Sequence, residues 1–197
     1  MAKGRDSGMP PTEQWESYFD IPGILRALGC GDLPGDVIEL GCGYGSFTLE
    51  AARRIMGTVY TFDIDPLMVA ATSARARAAG LHNVIVAERD FLEAGCGQPD
   101  GSASFAMLFN ILHIEDPVSL LREARRVLCG GGIAGVIHWK HDANTPRGPA
   151  LEIRPKPEQI RLWASEAGFQ RAKITDLPGS PWHFGMTLEA PRSGSMS

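Results

Sequence analysis

The chain has 197 residues, of which 44% are hydrophobic and 21% charged, the size and balance of one globular domain. Its formal charge of −4 argues against a nucleic-acid binder, because such proteins need a basic face to neutralise phosphates. It has no apolar run near the roughly 18 residues that cross a bilayer and no apolar region typical of a secretory signal, so we expect a cytoplasmic protein without a membrane partner.

Strand-like and helix-like segments alternate along the chain. Short apolar or β-branched runs between turn residues predict strands, and apolar residues at helical spacing predict helices. The predicted strands are 36–40, 58–62, 83–87, 103–109, 133–139, 172–175 and 183–188, and the predicted helices are 47–55, 65–79, 116–128 and 157–167. This order predicts a doubly wound, Rossmann-like α/β domain with a mainly parallel sheet and helices on both faces. The last two strands are too close in sequence for a helical crossover, so they should pair antiparallel.

The ends of the chain differ from this alternating region. Residues 1–34 are predicted to form an N-terminal helical segment, residues 35–190 the main domain, and residues 191–197 a flexible tail. One helical face of the first segment carries Trp15, Tyr18 and Phe19, and another carries Ile24, Leu25 and Leu28. Core packing is the simpler explanation of both faces, and a lid over a ligand site is the alternative for the first.

Two irregular stretches flank the fifth predicted strand. The three glycines at 130–132 are predicted to break the chain before it. After it, residues 140–156 contain three prolines and no periodicity, which predicts a long loop. Loops of that length are usually functional or disordered, and this one carries Lys140, Arg147 and Arg154.

The four cysteines are widely spaced and show neither a CxxC pair nor a zinc-binding pattern. They are Cys30, Cys42, Cys96 and Cys129. We expect free thiols in a reducing compartment and no metal site. A disulfide, a reactive cysteine and a cluster of two or three cysteines for a soft substrate are the alternatives.

The first predicted strand ends in a glycine-rich turn, Glu39-Leu40-Gly41-Cys42-Gly43-Tyr44-Gly45. In open parallel sheets ligands bind at the carboxyl ends of the strands, and glycines let the backbone turn tightly and approach a ligand. Dinucleotide-binding proteins use GxGxxG, whereas this turn is GxGxG preceded by an acid. A carboxylate beside the turn would repel a pyrophosphate and suits a cationic ligand.

The second and third predicted strands also end in acids. Asp63 follows Gly41 by 22 residues, close to where such folds place an acid that accepts hydrogen bonds from both ribose hydroxyls. Asp65 is better explained as a helix N-cap. Asp90 precedes Phe91, a pair that suits an adenine ring and its amino group; a loop aspartate beside a core phenylalanine is the alternative.

Together these motifs resemble the class I S-adenosylmethionine-dependent methyltransferases, of the small-molecule, methyltransferase-11-like type. The resemblance runs from about Asp36 to Leu188. It rests on ELGCGYG at 39–45, YTFDIDP at 60–66, RDF at 89–91, DGSASFAMLFNILHIEDP at 100–117 and LLREARRVLCGGG at 120–132. Ser104 stands where the family usually has Asp, far from the transferred methyl. The resemblance implies a seven-stranded sheet with an antiparallel last strand, methyltransferase activity, and S-adenosyl-L-methionine as cofactor.

The resemblance also implies residues for the methionine portion of the cofactor. Backbone atoms of Gly41, Cys42 and Gly43 would contact it. Glu39 would act on the ammonium group, directly or through water, and Asn110 would line the pocket near the sulfonium.

For the adenosine portion, the resemblance implies four further residues. Asp63 would bind the ribose hydroxyls, and Ile64 would pack on the adenine. Asp90 and Phe91 would meet the edge of the base.

Histidines follow the strands at the same edge of the predicted sheet and are candidates for acceptor chemistry. Methyl transfer mainly needs alignment of the reacting atoms, and a general base helps only where the acceptor has a proton to lose. His113 and His141 are the preferred base candidates, with His138 nearby in sequence to the second. His183 is a candidate acceptor-binding residue, and Arg147 is predicted to meet an anionic acceptor. For each of them a structural or solvated side chain is the alternative.

The sequence limits the kind of acceptor molecule only weakly. Asn110-Ile111-Leu112-His113 does not match the Asn/Asp-Pro-Pro-aromatic run of many methyltransferases that modify base or amide nitrogens, which favours a small-molecule acceptor. Two alternatives stay open: a non-catalytic S-adenosylmethionine-binding protein and, less favoured, an NAD(P)-dependent oxidoreductase.

Overall fold

The computed structural model describes residues 10–31 and 33–192, and within them seven strands form a sheet. The strands are β1 (Asp36–Leu40), β2 (Val59–Asp63), β3 (Val84–Glu88), β4 (Ala103–Phe109), β5 (Leu128–Trp139), β6 (Arg171–Thr175) and β7 (His183–Glu189). Their order is β3-β2-β1-β4-β5-β7-β6. β1 to β5 run parallel and β7 pairs antiparallel with both β5 and β6, which confirms the predicted architecture.

The helices are α1 (Thr12–Glu16), α2 (Ile21–Ala27), α3 (Ser46–Ala52), α4 (Pro66–Ala78), α5 (Phe91–Ala94), α6 (Pro117–Val127) and α7 (Pro157–Glu166), with a 3-10 turn at Leu151–Ile153. Asp-Pro pairs begin α4 and α6, as predicted. Asp65 accepts the Leu67 N–H at 2.9 Å and Asp116 the Ser119 N–H at 3.0 Å, which satisfies amides that have no partner within the helix. None of the helices in the described ranges is long and apolar enough to cross a membrane.

The core lies on both faces of the sheet because side chains along each strand alternate in direction. On β4, Ala106 and Leu108 face the core cluster that includes residues of α6 and α7. Phe105 and Met107 face the other cluster, with residues of α2 and α3. Both faces are apolar, which is why the central strands appear as nearly continuous hydrophobic runs.

Three details differ from the sequence-based expectations. The prediction that residues 130–132 break the chain before the fifth strand was wrong. β5 already begins at Leu128, and the glycines form an irregular part of the strand, held by the Gly131 N–H on Ala190 O (3.2 Å) and the Ala190 N–H on Gly132 O (2.9 Å). A short helix, α5, follows Asp90 where none was predicted.

The third difference lies in the N-terminal segment. α1 ends at Glu16, so Tyr18 and Phe19 follow the helix instead of continuing its face. Phe19 is buried in the core with α2, as core packing would require. Residues 1–9 of the predicted N-terminal segment and 193–197 of the predicted tail lie outside the described residues.

Candidate functional site

One edge of the sheet collects the predicted site residues because the carboxyl ends of its parallel strands meet there. Gly41 follows β1, Asp63 ends β2, and Asn110 follows β4. Trp139 ends β5 and is paired with His183, the first residue of the antiparallel β7. The edge therefore divides into a cofactor half at β1 to β3 and an acceptor half at β5 and β7.

The turn after β1 has a shape that only glycines adopt easily. Gly41, Gly43 and Gly45 have φ angles of 96°, 50° and 75°, in the left-handed region. A Cβ on Gly41 would lie 3.1 Å from Ile111 Cδ1. The turn thus packs closely against the loop that follows β4.

The amides of this turn donate their hydrogens within the protein. The N–H groups of Gly41 and Cys42 both bind the Phe62 carbonyl, at 2.9 and 3.0 Å. The Gly43 N–H binds Asp63 Oδ2 at 3.0 Å, and the Gly45 N–H binds Cys42 O at 2.8 Å. A pyrophosphate site needs such N–H groups directed at the ligand. This turn instead uses three of them to hold itself to β2 and the fourth, on Gly45, to close on itself.

Glu39 is a buried acid beneath the turn. Its Oε2 accepts hydrogen bonds from the hydroxyls of Thr48 and, at 2.7 Å, Thr61. Burial raises the pKa of Glu39 to about 7; the two hydroxyls work against this rise and the neighbouring Asp63 adds to it. Sequence reasoning missed both threonines, although a threonine in register with Glu39 inside an apolar strand is a detectable signal.

Asp63 joins the turn to the second strand. Its Oδ2 accepts the Gly43 N–H and its Oδ1 the Asp65 N–H, each at 3.0 Å. A carboxylate offers about four acceptor positions, so both oxygens keep capacity for ligand hydroxyls. Ile64 is half-buried beside it.

Asp90 and Phe91 both have structural partners. Asp90 Oδ1 caps α5 by accepting the N–H groups of Leu92 (3.1 Å) and Glu93 (3.2 Å). Phe91 is buried in the core cluster with α6. Asp90 and Phe91 thus have the structural roles that were the alternative interpretation, and the contact of this pair with adenine stays a prediction.

Asn110 is the most constrained polar residue at this edge. Among the described residues it alone, apart from glycines, has a positive φ, 55°, and its N–H binds Ile137 O at 2.8 Å. Both atoms of its side-chain amide are buried without a hydrogen-bond partner. Buried polar groups are nearly always paired, and strained backbone clusters at ligand sites. This amide, which lies after β4 beside the glycine turn, fits a polar ligand.

The acceptor half contains three buried histidines. His113 Nδ1 lies 3.3 Å from His138 Nε2, and His138 Nδ1 lies 3.3 Å from Trp139 O. Burial lowers the pKa of His138 to about 3, and the neighbouring basic ring of His113 acts in the same direction. The structure thus joins His113 to His138, a pairing that sequence reasoning missed because 25 residues separate them.

His183 lies on the face of the sheet opposite to His138. Its ring is 4.5 Å from that of Phe19 and 4.1 Å from that of Trp139, measured between centroids. Neither ring nitrogen has a hydrogen-bond partner. Burial lowers its pKa to about 3, and the charges of Lys140 and Arg154 act in the same direction.

The loop at 140–156 is organised around Arg154. Its guanidinium donates to Pro149 O (2.6 Å), Lys140 O (3.1 Å), Asp142 O (3.2 Å), Arg147 O (3.1 Å) and Thr145 Oγ1 (2.5 Å). Arg154 therefore holds the loop together, and Arg147 is half-buried within it. The remaining candidate histidine, His141, is exposed on this loop, and its Nδ1 lies 3.2 Å from the carbonyl oxygen of Arg154.

The N-terminal segment connects the two halves. Glu16 accepts hydrogen bonds from Ser46 and Arg75, both at 2.7 Å, at the start of α3 and on α4. At its other end, the Tyr18 carbonyl accepts the Ser180 hydroxyl at 2.9 Å, just before β7. The segment thus lies over the edge of the sheet where the site residues meet.

Comparisons with known proteins find a methyltransferase-domain match and several structures with a similar fold. A family model described as a methyltransferase domain matches residues 37–132. A SAM-dependent methyltransferase from Aquifex aeolicus has a similar fold, with 22% identity, 91% of this chain and 93% of that chain covered, and a TM-score of 0.79. The [4+2]-cyclase SpnF shares 20% identity over 87% and 81% of the chains, with a TM-score of 0.70.

A third structure contains the cofactor. It is phosphoethanolamine N-methyltransferase 2 from Haemonchus contortus in complex with S-adenosyl-L-methionine, with 15% identity, 87% of this chain and 52% of that chain covered, and a TM-score of 0.71. At these identities the structures show a shared fold. No curated protein matches the sequence.

Proposed function

We propose that this chain is a class I S-adenosylmethionine-dependent methyltransferase, which the methyltransferase-domain match over residues 37–132 supports, and that it transfers a methyl group to a small-molecule acceptor by in-line displacement. S-adenosylmethionine supplies a methyl carbon that its sulfonium has already activated. The protein has to hold the cofactor, align the acceptor, exclude water and, for some acceptors, remove a proton.

The observation that carries this proposal is how the glycine turn uses its amides. The N–H groups of Gly41, Cys42, Gly43 and Gly45 are donated within the protein, and Glu39 lies beneath them. Such a turn suits the cationic head of an amino acid better than a pyrophosphate. It therefore favours S-adenosylmethionine over NAD(P) as the ligand.

The cofactor half offers a group for each polar part of that cofactor. Glu39 would neutralise the ammonium, with Thr48 and Thr61 orienting its carboxylate. Asp63 would accept from the ribose hydroxyls while it keeps the turn in place. The amide of Asn110 would gain the partners that it otherwise lacks.

The adenine would lie among the residues that follow β2 and β3. Ile64 would pack against the ring, and Asp90 would use its remaining acceptor capacity on the amino group. Phe91 would support this contact from the core.

The burial of the acceptor half supports a small acceptor. His113, His138 and His183 expose only 8%, 0% and 2% of their surface, so only a small group could reach them. We place the general base at His113 rather than at His141, because His141 is exposed and bound to Arg154. His183 would contact the acceptor from the other face, and Arg147 would meet an anionic group on it. The N-terminal segment would act as the lid.

We place the protein in the cytoplasm, where its cysteines would stay reduced, since all four are free thiols.

Titration calorimetry with S-adenosylhomocysteine and with NADPH tests the cofactor assignment. We expect binding of the first alone, and loss of that binding in Asp63→Asn but not in the control Glu158→Gln, which changes an exposed acid on α7. Binding of NADPH alone would overturn the proposal.

A panel of small alcohols, phenols, thiols and amines, incubated with methyl-labelled cofactor, tests the transfer. We expect labelled product from at least one class, with inversion when the methyl group is isotopically chiral. Cofactor binding without transfer to any acceptor, or transfer to macromolecules alone, would contradict the proposed reaction and support a binding protein or another substrate class.

A further inference from the structure

His113 and His138 form a chain of contacts that ends on a backbone carbonyl. His138 Nδ1 lies 3.3 Å from Trp139 O, and His138 Nε2 lies 3.3 Å from His113 Nδ1. The two rings meet edge to face, with centroids 5.4 Å apart. The contact joins the loop after β4 to the end of β5, so it holds that loop against the strand.

The carbonyl at the end of this chain determines where the hydrogens lie. A carbonyl oxygen only accepts, so the ring nitrogen that faces Trp139 O must carry a hydrogen. A neutral imidazole has one N–H, which leaves His138 Nε2 as an acceptor. The atom facing it, His113 Nδ1, must then be the donor, and a neutral His113 carries its lone pair on Nε2.

His138 stays neutral because it is buried among apolar and basic groups. Its neighbours include Phe184 on β7, with ring centroids 6.3 Å away. The titratable and charged groups that act on it are His113 from the loop after β4, His183 from β7 and Arg154 from the loop after β5, and each disfavours a second proton. Burial acts in the same direction and is the largest effect.

We propose that His138 is a positioning residue, which holds His113 in its Nδ1-protonated tautomer so that His113 Nε2 takes the proton of an acceptor with a heteroatom–hydrogen bond. This inference rests on the proposed methyltransferase function and narrows its substrate class. Alcohols, phenols, thiols and N–H acceptors qualify, whereas acceptors without a proton to lose gain nothing from the arrangement.

The proposed step balances as follows. The acceptor heteroatom forms a bond to the methyl carbon as the methyl–sulfur bond breaks, and the electron pair of that bond stays on sulfur. The proton leaves the acceptor for His113 Nε2, which makes His113 a cation. His138 Nε2 stabilises that cation because it still accepts the Nδ1 hydrogen.

The tautomers can be measured directly in the unmodified protein. Long-range ¹H–¹⁵N correlation spectra of the full chain labelled with ¹⁵N-histidine, with and without S-adenosylhomocysteine, report which nitrogen of each ring carries hydrogen. We expect Nδ1–H for both His113 and His138 at neutral pH. An Nε2–H tautomer on His113 in the wild-type protein would overturn the inference.

Variants at 138 separate positioning from simple packing. In His138→Gln the amide oxygen can replace the Nε2 acceptor, so His113 should keep its tautomer. In His138→Phe the tautomer of His113 should change to Nε2–H, the form preferred in free histidine. With a protic acceptor we expect kcat to fall about 10- to 100-fold in the Phe variant and to recover in the Gln variant, while KM stays nearly constant. This fall in kcat is smaller than the roughly 10²- to 10⁴-fold cost of losing a general base itself.

The control is His82→Asn, which changes an exposed histidine before β3 and should alter neither tautomer. An unchanged His113 tautomer in the folded Phe variant would also refute the role of His138. Failure of the proposed function has a different signature, loss of S-adenosylhomocysteine binding or of methyl transfer, while the tautomers are read independently of both.

Discussion

The cofactor half and the acceptor half of the site bury ionisable groups of opposite kinds. Glu39 in the first has its pKa raised to about 7, and His183 in the second has its pKa lowered to about 3, in both cases chiefly through burial. Each half therefore favours the neutral form of its buried group. The two halves differ in what makes their buried groups ionise. A cationic ligand can ionise Glu39 on binding, whereas a group in the acceptor half becomes charged only when a proton is transferred to it.

The largest expected effect is on acid stability, through His183. Its folded pKa of about 3 lies below the ordinary histidine value of 6.5, so the stability from the neutral ring is present above pH 6.5 and lost as the pH falls towards 3. Over three pH units this amounts to about 4 kcal/mol. His183→Phe has no such titration. As the pH falls from 6.5 to 3.5, the unfolding free energy of this variant should therefore rise by about 4 kcal/mol relative to that of the wild type.

Urea unfolding across this pH range measures the difference between the two proteins. The control His82→Asn, at an exposed position, should follow the wild-type curve. A constant gap between His183→Phe and wild type at every pH would mean that His183 is not held neutral by its surroundings.

Glu39 gives the opposite dependence on pH. Its folded pKa of about 7 lies above the ordinary glutamate value of 4.5, so the stability from its protonated form is present below pH 4.5 and lost as the pH rises through 7. Glu39→Gln keeps a neutral group, and at pH 8 the unliganded variant should be more stable than wild type by about 3 kcal/mol.

The same variant should lose cofactor affinity, because removing one partner of a buried charge pair costs about 2–5 kcal/mol. In wild type, calorimetry should show S-adenosylhomocysteine binding more tightly as the pH rises from 6 to 7 and then levelling off. In Glu39→Gln that rise should vanish. A variant that is destabilised at pH 8, or that keeps the pH-dependent affinity, would show that another group is responsible.

The two halves also differ in how far they can be predicted from sequence. In the cofactor half the informative residues lie at strand ends: Gly41, Gly43 and Asp63 are fixed by the crossover between adjacent parallel strands, and the structure places them in contact. The antiparallel last strand likewise follows from a short connection. Local spacing carries this information.

The acceptor half depends on contacts between residues that are distant in sequence or lie in aperiodic segments. His138 meets His113 across 25 residues, and Phe19 reaches His183 from the opposite end of the chain. The residues at 130–132 have glycine's usual preference for turns, and two hydrogen bonds exchanged with Ala190 keep them in the strand. No periodicity encodes such pairings, so sequence reasoning found the histidines but not their partners.

Arg154 provides the smallest effect and the sharpest test of how the acceptor half is built. Its three guanidinium nitrogens reach five oxygen atoms of the loop, a geometry that the ammonium of lysine cannot span. Hydrogen bonds to charged groups contribute about 1.5–3 kcal/mol each, and we expect Arg154→Lys to lower the free energy of local loop opening by about 2 kcal/mol after water replaces some of them.

Limited proteolysis measures this opening, because cleavage within 140–149 follows the population of the open loop. A loss of 2 kcal/mol should accelerate cleavage about thirtyfold, whereas Arg161→Lys on the exposed face of α7 should cleave like wild type. S-adenosylhomocysteine affinity should stay unchanged in both variants, since the cofactor half makes no use of this loop. Equal loss of loop protection and cofactor affinity would mean that the two halves fold as one unit, and that Arg154 supports the whole edge of the sheet rather than the acceptor half alone.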